Sequence, residues 1–328
     1  MRTNAAGPSS RRVSAIALGI GGVDLPVLTH TAAASGPSVA VTANVHGDEV
    51  TGLAAVHDLD RTLATALKRG SVVLFPSLNP SGLVSQRRAN GQDGLDLNRA
   101  FPGNPDGTGS DRVAGRVWEA LMALSLDALI DLHADSAVAI PYAIVDRPTS
   151  LRGAARQRME ARLDDIAGFA GLTLLHEYPD AEYVRYRLDQ SLAGAMVNRA
   201  GVCAVTLEVG PRRAVFADAV RITADAVLRI LRGLGLVDEA PAPSPGPIAG
   251  GPWHRGAAPR VGAAGVFVPA VRPGARFVPG DVLGEVRGVD GTVRQVVRAV
   301  GHGLVVSWSE HAWIDERGVP GTLGVRSE

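Results

Sequence analysis

The stretch Val39–Glu49, VAVTANVHGDE, decides how the chain is read. An apolar run ends in His46-Gly47-Asp48-Glu49. From Glu49 to Arg69 apolar residues recur at Leu53, Val56, Leu59, Leu63 and Leu67, the spacing of one helix face, with Gly70 as the expected stop. A buried strand that runs into a helix places His46 and Glu49 on the connecting turn, where both side chains can face one metal ion. Alone, a His-x-x-Glu pair at a helix start is more often an incidental histidine beside a capped helix. Three later apolar runs change that balance: Val72–Phe75 leads to Asn79, Ala128–Leu132 to His133, and Val202–Leu207 to Glu208.

Helical spacing is expected over 110–124, 152–169, 191–199 and 214–234, and a polar, glycine-rich loop over 81–109 is too long to be a mere connector. Alternating strands and helices predict an α/β fold with a mainly parallel, mixed sheet covered by helices on both faces. Ligands bind such sheets at the carboxyl ends of the strands, where His46, Glu49, Asn79, His133 and Glu208 all fall. Residues 1–238 read as the α/β domain and 239–250 as a proline-rich linker containing APAPSPGP. Residues 251–328, with short β-like runs between glycines and prolines, read as a small β domain. Within it Pro279–Gly284 (PGDVLG) resembles the hairpins of lipoyl and biotinyl domains. The only lysine is Lys68, so no lysine there could carry a cofactor and the likeness is one of fold.

A formal net charge of +0 offers no electrostatic case for nucleic acid or an anionic membrane. No uncharged apolar run is long enough to span a bilayer. Cys203 is the only cysteine, which excludes an intrachain disulfide and fits a reducing, cytoplasmic setting. Arg11-Arg12 ahead of Val13–Val23 imitates a twin-arginine export signal. That stretch is short, glycine-rich and closed by Asp24 and Pro26, so it reads as the first strands.

A catalytic zinc takes three N/O ligands from the protein and keeps one position for water. His46, Glu49 and His133 supply that inventory, one ion per chain. A carboxylate outside the metal shell must take the water's proton and pass it to the leaving nitrogen; Glu208 is the candidate. The 81–109 loop carries Arg88, Asn98 and Arg99. A guanidinium matches a carboxylate in shape and charge and can also steady an oxyanion, although a loop arginine is more often a solvated charge. The remaining histidines read as structural or surface residues, and Cys203 as a small core residue. Tyr183, Arg185 and Tyr186 belong either to a pocket mouth or to a plain surface loop.

With these residues in place, the motifs VHGDE, NP, DLNRAFPG ending an Arg-x10-Arg spacing, DLHAD and TLEVGP resemble the succinylglutamate desuccinylase/aspartoacylase family, which has the zinc carboxypeptidase-like fold. The resemblance covers most of the chain. It implies zinc ligands at His46, Glu49 and His133, a catalytic glutamate at Glu208 and substrate-binding residues at Arg88, Asn98 and Arg99. It also implies removal of an acyl group, acetyl or succinyl, from an N-acyl amino acid. Human-type aspartoacylases add an arginine shortly before the catalytic glutamate and a tyrosine in the C-terminal domain. Here the nearest upstream arginines, Arg199 and Arg187, do not align, and no tyrosine follows the linker.

The resulting expectation is a zinc-dependent amidohydrolase acting on a small molecule with a free carboxylate, with Arg88 also serving the scissile carbonyl. A metallocarboxypeptidase for small peptides and a non-catalytic metabolite-binding protein are the competing readings. The sequence leaves a homo-oligomer open.

Overall fold

The computed structural model describes residues 9–18, 24–107 and 109–326. The chain opens with strands β1 (Ser10–Ile16), β2 (Leu25–Thr31) and β3 (Ala34–Ala43). Helix α1 (Thr51–Ala66), β4 (Arg69–Phe75), and the helices α2 (Pro80–Ser85) and α3 (Gly109–Met122) follow. Next come β5 (Ala128–His133), β6 (Tyr142–Val145), α4 (Gly153–Phe169) and β7 (Thr173–His176). Two short helices, α5 (Asp180–Arg185) and α6 (Leu192–Ala195), precede β8 (Cys203–Glu208) and α7 (Ala217–Gly233). The rest is β: β9 (Trp253–Ala257), β10 (Gly265–Pro269), β11 (Arg276–Phe277), β12 (Val282–Arg287), β13 (Val293–Arg298), β14 (Gly303–Trp308), β15 (Trp313–Ile314) and β16 (Gly321–Val325).

The centre of the main sheet is parallel, in the order β4-β3-β5-β8, and antiparallel pairs flank it. Its strands are apolar on both faces because helices cover both. Helices α1, α4 and α7 pack together on one side, while α6 lies against β5 and β8. Val41, Ile130 and Val205 sit in register at the middle of adjacent strands, each fully buried. The same register aligns His133 with Glu208 at the carboxyl ends of β5 and β8.

Several boundaries differ from those expected. Helix α1 ends at Ala66, and Leu67 is already extended. Gly70 does not cap it; Gly70 lies inside β4 with φ +73°, where a side chain would collide with the Pro37 carbonyl of the neighbouring strand. Strands β6 and β7 are absent from the sequence reading, because four residues are too few to display alternation. The apolar stretch read as the first strands forms β1 up to Ile16; residues 19–23 of it lie outside the described residues.

The main sheet does not stop at the proline-rich segment. Strand β7 pairs in parallel with β9 through Leu175↔Trp253 and His176↔His254, and β16, β14 and β11 continue beyond it. A second, antiparallel sheet of β13-β12-β10-β15 closes its own core around Phe267, Leu283, Val286 and Trp308. Thus 239–250 marks a change from α/β to all-β chain without interrupting the sheet. Trp253, buried with Tyr142, Ile144, Leu175, Leu304 and Val306, fills the seam. Among the described residues no helix is long and apolar enough to cross a membrane.

The two-pair β7–β9 ladder is short, so the seam depends on side-chain packing. Trp253→Ala is expected to cost about 3–5 kcal/mol, read as a lower denaturant midpoint. A midpoint equal to that of the unsubstituted protein would show that the seam does not bear on stability.

Candidate active site

The turn after β3 is built by its own side chains. Asn44, in the left-handed region at φ 56°, points Nδ2 at the carbonyls of His46, Gly47 and Glu49 (2.9, 3.1 and 3.0 Å), and Ser77 donates to its Oδ1 at 2.6 Å. Asparagine is one of the few residues that tolerates this backbone while bonding locally. Asn79 braces the neighbouring turn: its Oδ1 accepts from Gly82 N–H at 2.9 Å at the start of α2, and its Nδ2 donates to the Val45 carbonyl at 3.2 Å. Asn79 therefore shapes the site without lining the cavity. A Cβ at Gly47 would run into the Gly82 backbone, so the loop carrying Arg88 can cross the turn only over glycine.

His46, Glu49 and His133 converge, all three buried. His46 Nδ1 lies 2.8 Å from Glu49 Oε1, and His133 Nδ1 lies 2.8 Å from Glu49 Oε2. The potential ligand atoms lie within 4.8 Å of one another. Each outer imidazole nitrogen is tied back. His133 Nε2 is 2.9 Å from Asp131 Oδ2, whose other oxygen accepts from Thr42 at 2.7 Å; His46 Nε2 is 3.2 Å from Asp96 Oδ1. A carboxylate behind a ligating histidine fixes its tautomer and orientation, so both Nδ1 atoms are left for the centre. Two nitrogens and one carboxylate suit zinc.

The electrostatics agree. Burial opposes ionisation of Glu49, but the charges and hydrogen bonds of His46 and His133 prevail and hold its carboxyl well below the usual range. Burial likewise opposes ionisation of Asp96, yet His46 and Arg88 keep it low. Glu208 behaves oppositely. Burial pushes it up to about 7, against the pull of His133 and with Glu49 and Asp135 adding to the rise. A carboxyl near 7 can both accept and return a proton at neutral pH.

His46, Glu49, His133, Asp135 and Glu208 line one cavity of about 90 Å³. Arg88, Asn98 and Arg99 line it as well. Arg88 bridges Glu49 (3.3 Å) and Asp96 (3.1 Å). Asn98, on a 3-10 turn spanning Leu97–Arg99, accepts Leu192 N–H at 2.7 Å. Arg99 gives Nε to the Tyr186 carbonyl (3.0 Å) and Nη1 to the Asn98 carbonyl (2.6 Å). Tyr183 is buried behind the wall, its hydroxyl 2.6 Å from Asp146; Arg185 and Tyr186 are exposed on α5 and at its end, off the cavity.

Other residues of the cavity escaped the sequence reading. Asp135 lines the cavity and Asp131 lies behind His133; they flank it in DLHAD, where even spacing to the histidine is an available signal. Arg212 lies four residues after Glu208, whereas the family resemblance directs attention to arginines before it. Asp146, Glu177 and Arg255 carried no local signal. Arg255 arrives from β9, beyond the proline-rich segment, and pairs with Glu177 at 2.6 Å.

Known proteins resemble this chain in sequence and fold. Residues 35–234 match the model of the succinylglutamate desuccinylase/aspartoacylase catalytic domain. An N-alpha-acetyl-L-2,4-diaminobutyric acid deacetylase of Halomonas elongata is 35% identical over 113 residues, which span 34% of this chain and 32% of that protein, about a third of each. The crystal structure of a succinylglutamate desuccinylase/aspartoacylase from Rhodobacter sphaeroides superposes with TM-score 0.78 at 23% identity, covering 98% of this chain and 97% of that one. A metallo-carboxypeptidase from Burkholderia cenocepacia shares the fold over 67% of this chain and 63% of its own, with TM-score 0.53 and 17% identity. The chain belongs to the succinylglutamate desuccinylase/aspartoacylase family, on the carboxypeptidase-like fold.

Proposed function

We propose that the protein is a zinc-dependent deacylase that hydrolyses the amide bond of a small N-acyl amino acid. The observation that carries this reading is the buried His46–Glu49–His133 group with Glu208, a carboxyl raised to about 7, in register beside His133. His46 Nδ1, His133 Nδ1 and the Glu49 carboxylate would hold the ion. Bound zinc supplies Lewis acidity, making water a nucleophile near neutral pH and polarising a carbonyl.

The chain's own groups do the rest. Glu208, in its ionised form, takes the proton of the attacking water and returns it to the departing amine. Asp131 and Asp96 keep the two imidazoles aimed. Arg88, beside Glu49, presents a fixed positive charge where the carbonyl oxygen becomes anionic. Arg99 and Asn98 contribute to the wall against which the amino acid lies. The small cavity, closed by Tyr142, Ile144 and Arg255, suits a metabolite.

Asp146 also lines the cavity, and the Tyr183 hydroxyl donates to its Oδ1. Burial and neighbouring Glu177 push this carboxyl up to about 7. An ammonium on the substrate's side chain would match it, so Nα-acetyl-L-2,4-diaminobutyrate, named for the Halomonas relative, is the first compound to test. The single cysteine, buried and unpaired, accords with a cytoplasmic setting, which is part of the same proposal.

The purified protein is expected to bind about one zinc per chain, and the His46→Ala, His133→Ala double variant to lose it, as read by elemental analysis. Stoichiometric zinc in that variant would show that other residues hold the ion. Glu208→Gln is expected to keep zinc and fold while turnover drops about 10²–10⁴-fold, since an amide cannot accept the proton. A kcat within a fewfold of the unsubstituted enzyme would remove Glu208 from the chemistry.

A further inference from the structure

Four arginines line the cavity, and three are held by at least one side-chain hydrogen bond. Arg88 lies on Asp96 and Glu49, Arg255 on Glu177, and Arg99 on two backbone carbonyls. Arg212 differs. No atom of its guanidinium makes a hydrogen bond among the described residues; its buried Nε lacks a partner, as does Arg255 Nε, but Arg255 is held through Nη1 on Glu177. Carboxylate oxygens of Glu49 and Asp135 lie 3.9 and 4.0 Å from its Nε and Nη2, close enough to attract but beyond hydrogen-bond reach. A buried N–H left without an acceptor is costly, and a guanidinium edge facing a cavity is shaped for a carboxylate.

The turn that carries Arg212 is held from several sides. Val209 N–H donates to the His133 carbonyl (3.1 Å), Arg212 N–H to Glu310 Oε1 (3.3 Å) and Arg213 N–H to the Asp48 carbonyl (2.7 Å). Gly210, at φ +85°, packs where a side chain would press on Thr51 and Ala219. The backbone leading from Glu208 to Arg212 is thus fixed against both metal-site loops and against the C-terminal β region. A guanidinium on such a base needs little ordering when a ligand arrives.

We infer that Arg212, which lines the cavity with Glu208 and whose guanidinium no hydrogen bond holds, is the specificity-determining residue that reads the free carboxylate of the substrate. This rests on the deacylase reading only in taking the ligand to be an N-acyl amino acid. The competing reading makes Arg212 a long-range counter-ion for Glu49 and Asp135, indifferent to the ligand's carboxylate.

The test uses the zinc-loaded protein and the N-acetyl derivatives of L-alanine, L-glutamate and L-ornithine, each beside its α-carboxamide. Affinity is read by calorimetry, and kcat and KM by initial rates. The wild type should favour acids over amides. In Arg212→Gln the acids should weaken by about tenfold to hundredfold, the size of a lost charge-assisted hydrogen bond. The loss should appear mainly in KM, and the acid-to-amide ratio should fall near one. Arg212→Lys should restore part of the ratio, because an ammonium keeps the charge but not the fork. Thermal melts of each variant check that the fold persists.

A wild type that binds acids and amides alike, or binds neither, overturns the assignment. So does an acid preference that survives Arg212→Gln. If acids are bound in an Arg212-dependent way but none is hydrolysed, the deacylase reading falls and the role of Arg212 stands. If they are hydrolysed with a preference indifferent to Arg212, the reverse holds.

Discussion

Glu49 accepts one imidazole on each oxygen, and the site depends on that bridge. His46 and His133 come from different strands, so the bridge exists only because β3 and β5 pair in parallel and end at the same level. Three buried polar groups within 4.8 Å would be unfavourable if they were not hydrogen-bonded to one another. Asp131 and Asp96 extend the network outward, and Thr42 closes one end of it. The apolar sheet beneath, with Val41, Ile130 and Val205 side by side, offsets the cost of this polar centre. Functional sites commonly concentrate such locally unfavourable burial.

The four arginines show how one residue type is divided among roles by its neighbours. Arg88 sits among carboxylates, which anchors its charge beside the His46–Glu49–His133 group. Arg99 is fastened to main-chain carbonyls and stiffens the 3-10 turn that presents Asn98. Arg255 neutralises Glu177 and brings a strand of the C-terminal region into the cavity wall. Arg212 alone of the four has a guanidinium that no hydrogen bond holds among the described residues. A count of arginines would have treated these as equivalent; the acceptors around each separate them.

The C-terminal β region is part of the active site's frame. Main-chain bonds join Ile140 to Val306 and Trp308 to Val138, and Glu310 also accepts Ala137 N–H at 3.0 Å. The segment that follows His133 is therefore held by strands from beyond the proline-rich stretch. This gives a physical reason why the sheet continues unbroken across residues 239–250: the cavity is lined by residues from both sides of that seam.

Local sequence determined much of this arrangement. The VAVTANV run, the helical spacing after Glu49, and the endings ALIDLH and VTLE specified buried parallel strands delivering His46, Glu49, His133 and Glu208 to one edge. They could do so because the two-residue and 3.6-residue periods and the strand-end rule are properties of short segments. The same local rules failed where the signal was too short, as at β6 and β7, or where a neighbour mattered more than the chain. Gly70 is a glycine because Pro37 approaches it, not because a helix stops there. The tertiary structure alone decided which arginines keep a free donor, that Asn79 braces a turn away from the cavity, and that Asp146, Glu177 and Arg255 share the cavity with Glu208. Each of these depends on residues far apart in sequence meeting across strand ends, and no local pattern encodes which distant acceptor a side chain will find.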